Sequence, residues 1–582
     1  MYPDFHNYDK YPEIAVKGFE DSAIEGWESI RGLISSRAKD AEKYVVTLEM
    51  YPGAREDEIL EGLFDVYSCA FAAEDCMISK EEYAKRIAPT LTDDRVFGYM
   101  SHAELSEFYR ADAVEAMRER IESVCEGVIL VYGTGASLIT KGDLLIYADL
   151  ARWEIQTRYK AGMPNFHSDN GGAPFLSKYK QGFFLEWRYA DRLKVSLFDK
   201  IDYLLDTNVA DQPKTVTGEA FFTGLDRAAK RPFRLVPYFD PGVWGGQWMK
   251  TVCDLPKDRE NFAWSFDGVP EENSLYFRFG KVRIEVPAID LVLYRPEQLL
   301  GERVYKRFGA EFPIRFDFLD TMGGQNLSLQ VHPLTEYIRK TFGMEYTQDE
   351  SYYILDCEED ACVYLGLKTG IDKDAMLSDL RKAQAGGAPF PAEKYVNKFP
   401  AKKHDHFLIP AGTVHCSGAN SMVLEISATP YIFTFKLWDW GRLGLDGLPR
   451  PIHIDHGEKV IQWYRDTEWV KNNLVGQTYV ISDGEVKEEH TGLHELEFIE
   501  TRRHTFGGNI AALHNTDGSV NVLNLVEGEE AEVFSPDGTF EPFVVHYAET
   551  FVIPESVGEY GIRATEKSKD QKLMTIRASV RE

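Results

Sequence analysis

The sequence predicts a mixed chain, an α/β region followed by a β-rich region with a helical insertion. Three observations predict it. Before about residue 220, short apolar runs alternate with helical patterns, as in a parallel α/β sheet. Further on, Leu327-Ser328-Leu329-Gln330-Val331-His332-Pro333 reads as a strand stopped by proline, and Ile409-Pro410-Ala411-Gly412-Thr413-Val414-His415 as a strand, a turn and a second strand start. From Glu495 onward, short alternating strands return. A chain of 582 residues is too long for one hydrophobic core, so two to four domains are expected.

The α/β elements follow in order. Val45 to Met50 reads as a buried strand, followed by Tyr51-Pro52-Gly53 and an acidic helix from Glu56 to Tyr67. Helical patterns run from Lys80 to Ile87 and from His102 to Val124. Gly127 to Tyr132 and Asp143 to Asp149 are two more strands, the second leading into a helix from Leu150 to Tyr159. Gly133-Thr134-Gly135-Ala136-Ser137-Leu138 begins like a dinucleotide fingerprint, but the third glycine is missing, and a tight turn is the simpler reading. The strand–Asp–helix from Asp143 to Lys160 resembles the later half of small nucleoside or nucleotide kinases. No Gly-x-x-x-x-Gly-Lys-Ser/Thr loop is present, so a kinase-like domain here would lack its phosphate cradle and serve as a regulatory, scaffolding or dimerising unit. Phe184 to Arg188 fits strand or helix equally. The domain is expected to span 1–220, with the boundary between Thr215 and Arg231.

A net charge of -29 argues against nucleic-acid backbones and anionic membranes as partners. An anionic substrate would need a local basic pocket. The N-terminus has neither a basic nor an apolar leader region, and no stretch approaches the ~20 apolar residues of a spanning helix. Seven scattered cysteines fit a reducing cytoplasm, so a cytoplasmic location is expected. Cys357 and Cys362 read as free thiols in or near the core.

Gln330 and His332, two apart on a strand, project to one face. With Glu350 and His415 they offer two imidazoles, a carboxylate and an amide oxygen, a set suited to one divalent ion such as Zn2+. Ser328 shares that face and is a candidate substrate contact. His404 and His406 are expected to be solvent-exposed turn residues, and Cys416 to point away from His415.

Gln330-Val331-His332-Pro333, then Glu350 opening an aromatic strand, then Pro410-Ala411-Gly412-Thr413-Val414-His415, resembles class I mannose-6-phosphate isomerases, zinc enzymes of the cupin superfamily. The resemblance runs from about Pro232 to the C-terminus. It implies that the α/β N-terminal domain is followed by a β-rich double-cupin (jelly-roll) region. The metal-binding cupin with its helical insertion (Asp372 to Gln384) would span 231–490, and a metal-free second half 491–582. Tyr238 to Gly246 resembles the family's Trp-Gly-Gly segment near the active-site cleft, which makes Trp244 a candidate substrate contact. Phe433 to Arg442 resembles Tyr-Arg-Leu-Tyr-Asp-Trp-Gly-Arg. Lys436 stands where the family has the arginine assigned a catalytic role, and Arg442 keeps the second arginine.

The resemblance implies a sugar-phosphate substrate and interconversion of mannose 6-phosphate and fructose 6-phosphate, with Lys436 and Arg442 stabilising the oxyanion. Glu425, Asp349 and a metal-bound water are open as general base. Two family cations are replaced here by Asp317 and Gln348. The alternatives are therefore a sugar-binding or regulatory protein without turnover, or an isomerase of a different sugar.

Overall fold

The computed structural model describes residues 5–581 apart from Pro430, Asp446, Leu448 and Leu493. It is a mixed α/β structure rich in sheets, and the chain divides into two compact units. One, the α/β unit, comprises Glu13–Ala228 and Ser274–Arg295. The other, the β-rich unit, comprises Met1–Pro12, Ala229–Asn273 and Pro296–Glu582.

The α/β unit is built on five parallel strands: β1 (Lys43–Met50), β2 (Cys69–Ala72), β3 (Gly127–Gly133), β4 (Leu144–Asp149) and β5 (Tyr203–Asp206). Their spatial order is 2-3-1-4-5, extended by the antiparallel strands Lys214–Thr217 and Ala23–Glu25. Both faces of β1 are covered, which is why it reads as a continuous apolar run. Val46 and Leu48 pack with Ile30, Ile34 and Ile59, while Val45 packs with Phe71, Met117 and Ile121. The ambiguous stretch around Phe184 is helical, part of Phe175–Gln181, a π-type turn Gly182–Glu186, and Trp187–Leu197.

The chain passes from the α/β unit to the β-rich unit at Ala228/Ala229, but a single cut does not describe it. Ser274–Phe279 and Val282–Pro287 form a hairpin that returns to the α/β unit, where Glu13–Ala15 joins it as a parallel strand. Buried charge fastens the returning segment. Lys194 Nζ lies 2.7 Å from Asp149 Oδ2 and 2.8 Å from Asp290 Oδ1, and Asp206 Oδ2 accepts from the Glu285 amide at 2.8 Å.

The β-rich unit contains two groups of antiparallel sheets. In the first, a six-stranded sheet includes β6 (Arg315–Asp320), β8 (Asp349–Cys357) and β10 (Ser421–Ala428). A five-stranded sheet includes β7 (Leu329–Val331), β9 (His415–Ser417) and β11 (Phe435–Trp438). The helices Lys373–Gln384 and Ala392–Tyr395 interrupt this group, as expected. The second group has six- and four-stranded sheets sharing a core of Phe506, Leu523, Val533, Phe551 and Ile562. It begins before residue 491, because Tyr479–Asp483 and Val486–Gly492 already pair into its six-stranded sheet. The seven cysteines are free thiols, four of them buried. Among the described residues, no helix is long and apolar enough to cross a membrane.

Candidate metal centre

Strand register assembles the centre. Gln330 on β7 pairs directly with His415 on β9 and with Lys436 on β11. Directly opposed residues of antiparallel strands project to the same side, so these three side chains form one row. His332 follows two residues after Gln330, where Pro333 ends the strand. On the other sheet, Glu350 stands in a row with Ser427 and Arg315, and the next row on that face is Tyr352, Glu425 and Asp317.

The turn before His415 is held from several sides. Gly412 takes φ +87°, and a Cβ there would lie 2.9 Å from the Val460 carbonyl. Its amide donates to the His332 carbonyl at 3.0 Å. Arg465 donates to the carbonyls of Pro410 and Ala411, each at 2.8 Å, and Asp349 Oδ1 accepts from the Ala411 amide at 2.7 Å.

Three donors converge. His332 Nε2 lies 3.0 Å from Glu350 Oε2, and His415 Nε2 lies 2.8 Å from Glu350 Oε1. All three side chains are buried, with their ligand atoms within 4.8 Å of one another. The other ring nitrogens are committed. Nδ1 of His332 donates to the Phe433 carbonyl at 2.9 Å, and Nδ1 of His415 to the Thr413 carbonyl at 2.8 Å. A neutral imidazole protonated at Nδ1 carries its lone pair on Nε2. Both lone pairs then face a carboxylate, an arrangement that a proton or a metal ion between them makes favourable. Gln330 lies beside them, its amide nitrogen 3.3 Å from His415 Nε2; a half-turn of the amide presents its oxygen instead.

Gln348 is a supporting residue the sequence reading missed, having registered it only as a lost cation. Its amide donates to Glu350 Oε2 at 2.8 Å, and its oxygen accepts from the Phe433 amide at 3.0 Å. Phe433 in turn holds His332, so one backbone unit orients both an imidazole and the carboxylate. A polar residue two before a strand ligand was the available signal.

The electrostatics follow from burial and these contacts. Burial opposes the charge on Glu350, but His332 and His415 outweigh it and hold the carboxyl well below its ordinary range. Burial likewise opposes protonation of His332, yet Glu350 raises it. Burial raises Asp317 to about 6 and pushes Glu425 well up, with Glu350 and Asp317 adding to the latter. Burial also lifts Asp349 to about 6.

Of the remaining candidates, half-buried Lys436 stands in the Gln330 row. Ser328 and Arg442 meet on another group: Ser328 Oγ donates to Asp439 Oδ1 at 2.7 Å, and Arg442 Nη2 approaches the same oxygen at 2.5 Å. Arg442 also donates to the Asn326 carbonyl at 2.8 Å. Trp244 is buried edge-to-face against Trp264, ring centroids 4.6 Å apart.

The expectation of solvent-exposed turn histidines is corrected. His404 is in left-handed backbone at φ +71°, with Nδ1 2.9 Å from the Tyr353 hydroxyl and Nε2 3.0 Å from Glu527 Oε2. His406 is buried on a strand, and burial, with Arg503 and His490, lowers its pKa to about 3. In the α/β unit, the amides of Gly135 and Ser137 donate to the two oxygens of Glu49 at 2.6 and 2.7 Å. The chain's own carboxylate thus occupies the donors that a phosphate would have used.

A family model described as a domain of unknown function (DUF8485) matches residues 26–230. Mannose-6-phosphate isomerase ManA of Bacillus subtilis (strain 168) is 25% identical over 237 residues, 40% of this chain and 68% of that protein. The probable mannose-6-phosphate isomerase GmuF of the same organism is 28% identical over 232 residues, again 40% of this chain and 68% of its own length. The crystal structure of the Bacillus subtilis mannose 6-phosphate isomerase matches with a TM-score of 0.48 and 19% identity, covering 60% of this chain and 99% of that one. Over about 40% of its length, this chain is related to mannose-6-phosphate isomerases.

Proposed function

We propose that this chain is a metal-dependent aldose–ketose isomerase of the mannose–fructose type, binding one divalent ion, Zn2+ by its donor chemistry, through His332, Glu350, His415 and Gln330. The observation that carries the reading is the pair of imidazoles fixed through Nδ1, with both Nε2 atoms turned on one buried carboxylate. We read the two groups of antiparallel sheets as cupin-like halves, the first metal-bearing and the second metal-free, and the α/β unit as a regulatory or scaffolding addition.

The reaction is redox-neutral and needs no co-reactant. A proton leaves C2 of the open-chain aldose and one is delivered to C1, while the hydroxyl proton passes from O2 to O1. When bound, the ion would orient the sugar oxygens and steady their negative charge. Lys436, in the row with Gln330 and His415, supplies a further positive charge beside them. Arg442 acts through Asp439 by fixing the loop after β11.

A second reading, a sugar-binding protein without turnover, draws support from the engagement of Arg442 with Asp439. The relatives' names supply mannose 6-phosphate, which is tested first with its ketose, fructose 6-phosphate, and with the free sugars beside them. Isomerisation that requires added zinc, stops on chelation and is absent in His332→Ala is the expected result. Stoichiometric zinc without turnover on any of these sugars would leave only the binding reading.

A further inference from the structure

The face that carries Glu350 continues past it, and its chemistry bears on what the pocket accepts. Register places Arg315, Ser427 and Glu350 in one row and Asp317, Glu425 and Tyr352 in the next. The second row lies two residues along the strands, about 7 Å. That separation matches the length of an open-chain hexose reaching from the centre.

This face is buried, unevenly. Arg315 and Asp317 each keep 6% of their surface and Glu425 keeps 8%, whereas Tyr352 keeps none and Ser427 keeps 1%. Asp317 Oδ1 is a buried acceptor without a hydrogen-bond partner, while the Tyr352 hydroxyl interacts with Glu350 and the Ser427 hydroxyl with Glu425. Buried polar atoms in a finished fold are normally paired. Asp317 Oδ1, on the face that carries Glu350, is an exception.

Glu350 and Asp317 supply the negative charge on that face, while burial and their field favour the protonated form of Glu425. Arg315 is the guanidinium among them, 3.7 Å from Asp317. Carboxylates only accept hydrogen bonds when ionised, so they need donors. A phosphate dianion brings acceptor oxygens and like charge. A sugar hydroxyl brings a donor and no charge.

We propose that Asp317 and Glu425 form a hydroxyl-recognition site for the far end of the substrate, and that the chain isomerises a neutral hexose with a free hydroxyl at C6. This rests on the isomerase reading above and specifies the substrate class of the same site. The Tyr352 and Ser427 hydroxyls would complete the site, each able to donate to or accept from the sugar.

The test compares kcat/KM for fructose and fructose 6-phosphate on the zinc-loaded full chain. It is paired with calorimetric binding of mannitol and mannitol 1-phosphate, which need no turnover. The expected result is a preference of at least about tenfold for the neutral member of each pair. In Asp317→Lys the preference should shrink or reverse, while Asp317→Asn, close in shape, controls for folding. Zinc-dependent turnover that prefers fructose 6-phosphate tenfold would overturn the inference and leave the isomerase reading standing. Mannitol binding better than mannitol 1-phosphate without any turnover would uphold the recognition site and remove the isomerase reading. Equal binding of both polyols, or of neither, would overturn the inference.

Discussion

Two sets of buried carboxylates, one in each unit, are treated in opposite ways. In the α/β unit, acidic residues stand at or beside the carboxyl ends of parallel strands, where such sheets commonly bind ligands. Each is answered from within. Glu49 takes the Gly135 and Ser137 amides, Asp149 takes Lys194, and Asp206 takes the Glu285 amide. In the first group of sheets of the β-rich unit, by contrast, two imidazole nitrogens converge on one carboxylate, and Asp317 Oδ1 meets nothing. Two lone pairs turned on one carboxylate, unlike a carboxylate met by amides or a lysine, form a group that a ligand completes.

The largest test of this contrast is Lys194→Met, which leaves Asp149 and Asp290 together without their cation. Removing one partner of a buried ionic group costs about 3–5 kcal/mol. Calorimetry should show early unfolding of the α/β unit with zinc content unchanged. Loss of zinc as well would mean that the two kinds of site are not independent.

A slightly smaller effect is expected from Glu49. Burial raises its pKa to about 7 from an ordinary 4.5. Its contribution to stability is therefore full below pH 4.5 and is lost as pH rises toward 7, up to about 3 kcal/mol. Glu186 and Glu285, also raised to about 7 by burial, slope the same way. Urea unfolding at pH 5 and pH 8 should show a smaller difference in Glu49→Gln than in the unaltered chain. An identical difference would mean that Glu49 does not titrate there.

Next comes Glu350→Gln. Zinc affinity should fall by about 100-fold or more, read by competition with a chelator, because the amide lacks the charge that balances the ion. Gln348→Ala should cost less, about tenfold, since it only orients Glu350 and Phe433. The C-terminal sheets supply the smallest expected change. His504 and His514 lie with ring centroids 4.4 Å apart, but Glu488 reaches only His504, at 3.4 Å, and burial lowers the pKa of both rings. His514→Ala should leave the zinc stoichiometry at one.

Much of this was legible in the sequence where the signal is local. The strands around Val46, Leu130 and Ile146 announce themselves because both faces of the sheet are covered. Gln330 and His332 announce a shared face by their spacing. Long-range pairings left no such mark. Nothing local to Val282–Pro287 says which unit it joins. Nothing beside His406 says that Gly492 will lie against its ring, where an added Cβ would come within 2.8 Å. Ser328 and Arg442 look like site residues until Asp439 is seen to engage both.

The return of 274–295 to the α/β unit also sets a timetable for a chain made from its N-terminus. When residue 228 leaves the ribosome, all five parallel strands exist, but Lys194 still lacks Asp290 and Asp206 still lacks the Glu285 amide. The sheet must persist half-finished through the next stretch of synthesis. The first residues wait longer still. Tyr8 finds Asp267, but the Asp9 amide needs Glu549, 540 residues further along the chain. Trimming those opening residues should therefore be felt by the β-rich unit, whose final closure they join, rather than by the unit that follows them in the chain.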